Sequence, residues 1–208
     1  FFFKQKTAYE IANDLFRKYD IKKGLRNEDG TGVRVGLTKI ADVVGYKYVE
    51  EVKTDDIGKL YYRGIELRDI IHGRNYETIC GYEEACFLLL FGYLPKKEEL
   101  QEFCGYLRAH YELPDDFLES KFLHMPGKNL MNRLQQAVLA LYDYDDAPDN
   151  ISVENTLEQG LNILAKLPSI ICYAYQSKMH RYNKESLVIH PAQEHLSIAE
   201  NILYMLRK

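Results

Sequence analysis

Asp69 and His72 stand three residues apart in a segment of helical character, a spacing that can pair a carboxylate with an imidazole for acid–base work. The pairing has a plainer explanation. A histidine in the last turn of a helix is favoured there by the negative end of the helix dipole, and that structural reading is the one adopted for His72. The other histidines are scattered: His190 and His195 flank Pro191 and a polar turn, while His110, His124 and His180 stand alone. None has a partner set with metal-ligand spacing, so no metal site is expected. Cys80, Cys86, Cys104 and Cys172 form no Cys-x-x-Cys pair and are read as reduced, mostly buried thiols.

Residues 30–36, GTGVRVG, superficially resemble a phosphate cradle. The glycines miss the G-x-G-x-x-G spacing, no helix follows, and no Gly-Lys-Ser/Thr is present, so a glycine-rich hairpin is the better reading. G-x-S-x-G and H-E-x-x-H are both absent from the chain. Local motifs therefore assemble no complete catalytic site.

The elements around these residues change character along the chain. Residues 33–37, 46–52 and 59–62 are short β-favouring runs, with Asp29-Gly30 and Ile57-Gly58 supplying turns. From Ile65 onward the spacing is helical. Residues 65–71 predict a short helix with Gly73 past its end in the left-handed conformation, and residues 82–91 a second, closed by Gly92 and Pro95. Leu100, Phe103, Cys104 and Leu107 form an amphipathic stripe at i, i+3, i+4, i+7, with Glu98 and Glu99 at its positive end. Pro114 opens a short helix through Phe117 and Leu118, and Leu130, Leu134, Ala137, Val138 and Leu141 make the next face. Beyond an acidic loop at 143–150, Val153, Leu157, Leu161 and Leu164 stripe a helix that Pro168 is expected to end. A separate helix then carries Ile170, Ile171 and Ala174, and Ile198, Ile202, Met205 and Leu206 line the last. The fold class is all-α with a small N-terminal β region.

Length and charge bound the function. At 208 residues the chain can bury a real core, and 46% hydrophobic with 28% charged residues is ordinary for a globular protein. The net charge of −4 supplies no global positive field, which argues against nucleic acid. Charge is unevenly placed: residues 1–40 hold nine basic against five acidic side chains, whereas 134–165 hold no Lys or Arg. We read that acidic stretch as a solvated loop and helix face. The longest apolar run, 85–91, is far below the ~18 residues a membrane helix needs, and no secretory signal opens the chain, so no membrane association and a cytoplasmic location are expected.

Four stretches resemble one enzyme family. Residues 22–40, KKGLRNEDGTGVRVGLTKI, resemble the N-terminal segment of bacterial citrate synthases. Residues 58–65, GKLYYRGI, are similar to that family's G-x-L-x-Y-R-G strand, and YEE at 82–84 with LLLFGYLP at 88–95 and LSIAENILYML at 196–206 follow in the family's order. The resemblance implies an acyltransferase that condenses acetyl-CoA with oxaloacetate to citrate and CoA, as a homodimer and with no metal or redox cofactor. It also implies a partial chain. The family's catalytic histidine in H-x-x-H, its second histidine in G-x-G-H-x-V-Y and its later aspartate match nothing here, so they are expected beyond Lys208 and this chain alone is expected to be inactive. The same resemblance gives Arg26 a role in gripping coenzyme A phosphate, for which a guanidinium is well suited.

The domains expected on this basis are 12–64, an N-terminal segment with short strands, and 65–208, a helical large domain truncated before the small catalytic domain. Residues 1–11, FFFKQKTAYEI, instead resemble the translation of a sequencing adapter and are read as a non-native extension. Two alternatives stay open: 2-methylcitrate synthase, which uses propionyl-CoA, and a non-catalytic helical dimerisation module. A truncated helical domain is also expected to leave Leu161, Leu164, Ile170, Ile171, Ile202 and Met205 without intrachain cover.

Overall fold

The computed structural model describes residues 38–73 and 80–207. Residues 1–11, Arg26, the glycine-rich 30–36 and the expected strand at 33–37 lie outside the described residues. The chain divides into two compact units, Phe1–Pro95 and Lys96–Lys208. All-α architecture with a minor sheet is what the structure shows: six α-helices and three strands among the described residues.

In the first unit, β1 (Ala41–Val49) and β2 (Val52–Tyr62) form an antiparallel hairpin closing on the pair Val49↔Val52. The strand expected at 46–52 is thus two strand ends and a turn. Glu50 and Glu51 take φ of 50° and 66°, the paired left-handed geometry of a tight hairpin loop, which Asn-Gly usually signals and Glu-Glu does not. Ile57-Gly58, expected as a turn, lie instead within β2. The pairing jumps from Tyr46↔Asp55 to Val44↔Lys59, so extra β2 residues oppose Gly45 and the two residues belong to an irregularity in the strand pair. A second two-residue turn at Arg63-Gly64, with φ of 51° and 84°, leads to β3 (Ile65–Glu66), which pairs with Tyr62 and Tyr61.

Because Ile65 and Glu66 are in that strand, helix α1 is shorter than expected and spans Leu67–His72. Gly73 has φ −69°, so the expected left-handed cap is not there. Its N–H continues right-handed and donates to the Asp69 carbonyl at 2.8 Å. Gly92 does end α2 (Gly81–Phe91) at φ 84°. Arg63 ties the turn to this helix by donating from Nε and Nη2 to the Leu89 carbonyl at 3.1 and 2.6 Å. Phe87, Leu88 and Phe91 are buried, and the Phe87 ring lies 4.5 Å from Phe91 and 5.3 Å from Tyr93.

In the second unit, α3 (Lys97–Ala109) buries Leu100, Phe103, Cys104 and Leu107, the four stripe positions read from the sequence. The turn opened by Pro114 widens into a π-helical segment, Glu119–Leu123, that carries Phe122 inward. Helix α4 (Leu130–Ala140) starts on Asn129, whose side chain accepts from the Asn132 N–H at 3.1 Å, and runs into a 3-10 turn, Leu141–Tyr144. Helix α5 (Val153–Asn183) is the spine of the unit at 31 residues, and it corrects the expectation of two helices divided at Pro168. A proline has no N–H to give Leu164, and that missing bond alone would favour a break. Here Pro168, Ser169 and Ile170 are all buried, so packing on both sides of the proline holds one continuous helix.

Helix α6 (Ile198–Met205) closes the unit under a Ser197 cap. Phe117, Phe122, Ala137, Ile170, Cys172, Tyr173, Ala174 and Met205 form one core cluster drawn from the π-helical region, α4, α5 and α6. This overturns most of the expected uncovered face: Leu161, Ile170 and Met205 are buried, and of the six residues named only Ile171, at 42% exposure, is open. Ile170 and Met205 pack in one cluster with Ala137 of α4 and Phe122 of the π-helical segment, and Ile202 packs against it. The apolar side chains that do stand open are others, among them Met131 and Leu139 on α4 and Leu203 on α6.

Candidate functional site

The residues whose spacing suggested acid–base chemistry lie on one short helix. Asp69 and His72 are both exposed on α1, and no hydrogen bond or ion pair between them occurs among the described residues. The remaining histidines serve local structure. His110 Nδ1 lies 2.7 Å from the Tyr106 carbonyl with the two rings stacked, His180 Nδ1 lies 2.9 Å from the Glu185 carbonyl, and His124 Nε2 lies 3.5 Å from Glu119 on an exposed turn. His190 packs its ring against Tyr204. No group of three or more metal-ligating side chains forms among the described residues.

The cysteines are free thiols. Cys104 and Cys172 are buried and Cys80 and Cys86 half-buried, so burial is less complete than the sequence suggested. Desolvation pushes the Cys172 and Cys86 thiols up to about 11, which keeps both protonated and weakly nucleophilic at neutral pH.

A groove of about 510 Å³ lies where the 3-10 turn and the acidic loop meet α5. Asn155, Glu158, Gln159, Asn162, Ile163 and Lys166 all line it, because steps of three and four place them on one helix face. The loop is fastened to that face. Asp145 accepts from Gln159 Nε2 at 2.8 Å and from the Ala147 N–H at 2.9 Å, while Asn155 Nδ2 donates to the Ala147 and Asn150 carbonyls at 3.0 and 2.8 Å. Tyr142 donates its hydroxyl to both oxygens of Asp149 at 3.0 Å, and that bond raises the phenol above its usual range.

Two features of the groove escaped the sequence reading. In the acidic stretch, expected to be solvated throughout, Asp145 and Asp149 hold the loop instead. No sequence motif marks Lys166. It immediately follows the stretch without basic residues, and it sits half-buried in the groove with Nζ 3.4 Å from the His110 carbonyl. Desolvation lowers its ammonium below the ordinary lysine value. The i+4 run Glu158, Asn162, Lys166 was the available signal.

Comparison with known proteins supplies what the described side chains do not. The family profile described as citrate synthase, C-terminal domain, matches residues 26–208. A citrate synthase of Haloferax volcanii is 32% identical over 191 residues, covering 90% of this chain and 43% of that protein. A 2-methylcitrate synthase of Corynebacterium glutamicum is 29% identical over 175 residues, covering 83% of this chain and 42% of that one. Among solved structures, a ternary complex of carboxymethyl coenzyme A and oxaloacetate with citrate synthase from Thermoplasma acidophilum matches with a TM-score of 0.63 at 20% identity, over 90% of this chain and 42% of that chain. The chain therefore spans less than half the length of these relatives, and their likeness extends through nearly all of it. With the profile match running from Arg26 to Lys208, the chain belongs to the citrate synthase family.

Proposed function

We propose that the chain forms the helical large-domain part of an enzyme that condenses acetyl-CoA with oxaloacetate, giving citrate and CoA. The observation that carries this reading is the profile match over 26–208, supported by a relative named citrate synthase at 32% identity. The chemistry requires a carboxylate base to take a methyl proton from the thioester and a hydrogen-bond donor to stabilise the enol oxygen that develops. The enol carbon then attacks the oxaloacetate carbonyl, and water releases CoA from the citryl thioester. Neither step calls for a metal or a redox cofactor.

The histidine–carboxylate pair found among the described residues, His124 with Glu119 at 3.5 Å, is exposed on a turn and outside the groove, and residues 1–208 alone are proposed to be inactive. The rigid spine α5 and the fastened loop would serve as a frame against which a mobile part of the cleft closes. Arg26 is proposed to hold a coenzyme A phosphate, in keeping with the positive charge of residues 1–40. A homodimer and a cytoplasmic location belong to the same reading, and no helix among the described residues is long and apolar enough to cross a membrane.

Propionyl-CoA in place of acetyl-CoA is the second reading, favoured by the 2-methylcitrate synthase at 29% identity. Competition between acetyl-CoA and propionyl-CoA, with oxaloacetate and a polypeptide that continues past Lys208, tests the choice. Citrate as the main product supports the first reading, and 2-methylcitrate as the main product overturns it.

A further inference from the structure

Lys166 occupies an unusual position for a lysine. Its ammonium is half-buried in the 510 Å³ groove with the His110 carbonyl at 3.4 Å, and among the described residues no carboxylate lies within ion-pair distance of it. A carbonyl at that distance satisfies little of an ammonium's need for donors to be met. Among the described residues it is the sole Lys or Arg lining the groove, whose lining also holds Asp145, Asp146, Glu158, Tyr142 and Tyr144, and Asp145 already spends its oxygens on Gln159 and Ala147. Apolar walls from Pro114, Leu139 and Ile163 complete the space.

An amine so placed is held closer to its neutral, nucleophilic form than an exposed lysine, and the groove leaves it open to a small electrophile. We propose that Lys166 is a site of N-acylation by a thioester, the acyl chain seating against Leu139 and Ile163. The choice of a thioester as donor rests on the function proposed above, since such an enzyme works in the presence of acyl-CoA. In the step itself the Nζ lone pair adds to the thioester carbonyl carbon, a C–N bond forms as the C–S bond breaks, the sulfur leaves as thiolate, and the nitrogen loses its extra proton to water. An amide replaces the cation, and the groove is left with carboxylates alone. Those carboxylates repel a polyphosphate, so a neutral thioester arm should reach Lys166 more readily than one carrying the coenzyme A phosphates.

Peptide mass spectrometry on the purified 208-residue chain reads this directly, at about pH 8, where a lysine of lowered basicity gains most over an ordinary one. With S-acetylpantetheine, Lys166 is expected to be acetylated several-fold faster than the exposed Lys97 and Lys184, and the preference should vanish when the chain is unfolded in urea. With acetyl-CoA the preference should be smaller. Equal or slower reaction of Lys166 in the folded chain overturns the proposal, as does a preference that persists in urea. A stronger preference with acetyl-CoA than with S-acetylpantetheine overturns the role given to the carboxylates. The experiment needs no condensation activity, so its failure is distinguishable from failure of the proposed function.

Discussion

Asn201 offers the sharpest test of how the second unit is held together. Its side chain is wholly buried and closes three hydrogen bonds onto the loop that precedes α6: Oδ1 accepts from the Gln193 N–H at 2.7 Å, and Nδ2 donates to the Gln193 and Leu196 carbonyls at 3.0 and 3.3 Å. Asn201→Ala removes all three at once and leaves the part-buried Gln193 N–H without its acceptor, while the Gln193 carbonyl keeps the Leu196 N–H at 3.1 Å and the Leu196 carbonyl keeps the Tyr111 hydroxyl at 3.3 Å. A buried polar group left unsatisfied costs about 1–3 kcal/mol, and lost packing adds to it, so a total of roughly 2–4 kcal/mol is expected. For a unit of this size that lowers Tm by roughly 10 °C. The assay is thermal unfolding followed by far-ultraviolet circular dichroism, with Gln193→Ala as control, because the Asn201 bonds go to the Gln193 backbone and survive that change. Asn201→Asp adds a second reading. It keeps the acceptor but turns a carboxylate oxygen toward two carbonyls, which raises the carboxyl's folded pKa. Its penalty should be full at neutral pH and shrink as the pH falls through that raised value, where the protonated acid can donate again. An Ala variant melting within about 2 °C of the parent would refute the reasoning.

Glu200 gives a pH signature of opposite sign. The Ser197 N–H and hydroxyl both donate to its carboxylate at 2.8 Å and hold the group below its ordinary 4.5, so its stabilisation is present above that value and lost as the pH falls through it toward the folded pKa. Melting curves of Glu200→Gln should therefore differ from the parent at neutral pH and converge with it in acid. Arg26→Ala, placed in a polypeptide that carries the whole cleft, should raise the KM for acetyl-CoA and leave that for oxaloacetate nearly unchanged; an unchanged acetyl-CoA constant removes the phosphate role.

Periodicity made the helical part of this fold legible, and the reasons for its failures are local. The stripe Leu100, Phe103, Cys104, Leu107 could be read because one face of α3 is buried and the other is polar. Pro168 misled because a proline's missing N–H is visible in sequence, whereas the burial of its neighbours in α5 is not. Glu50-Glu51 hid a hairpin turn because glutamate rarely adopts positive φ, and Ile57-Gly58 imitated one because a strand irregularity and a turn share the same residues. The uncovered face expected on α5 and α6 failed for a different reason: the helices that would leave it bare were counted, but the inward reach of α4 and the π-helical Phe122 was not. At the groove, single side chains such as Lys166 gain their character from desolvation, which needs the loop at 143–150 in place before it can be seen.

The most direct measurement follows CoA release from acetyl-CoA and oxaloacetate with two purified polypeptides, residues 1–208 and a chain read through past Lys208 in the parent gene. The account predicts no release above background from 1–208, and citrate with stoichiometric CoA from the longer chain. Turnover by residues 1–208 alone would contradict it, and so would a longer chain that folds but releases no CoA.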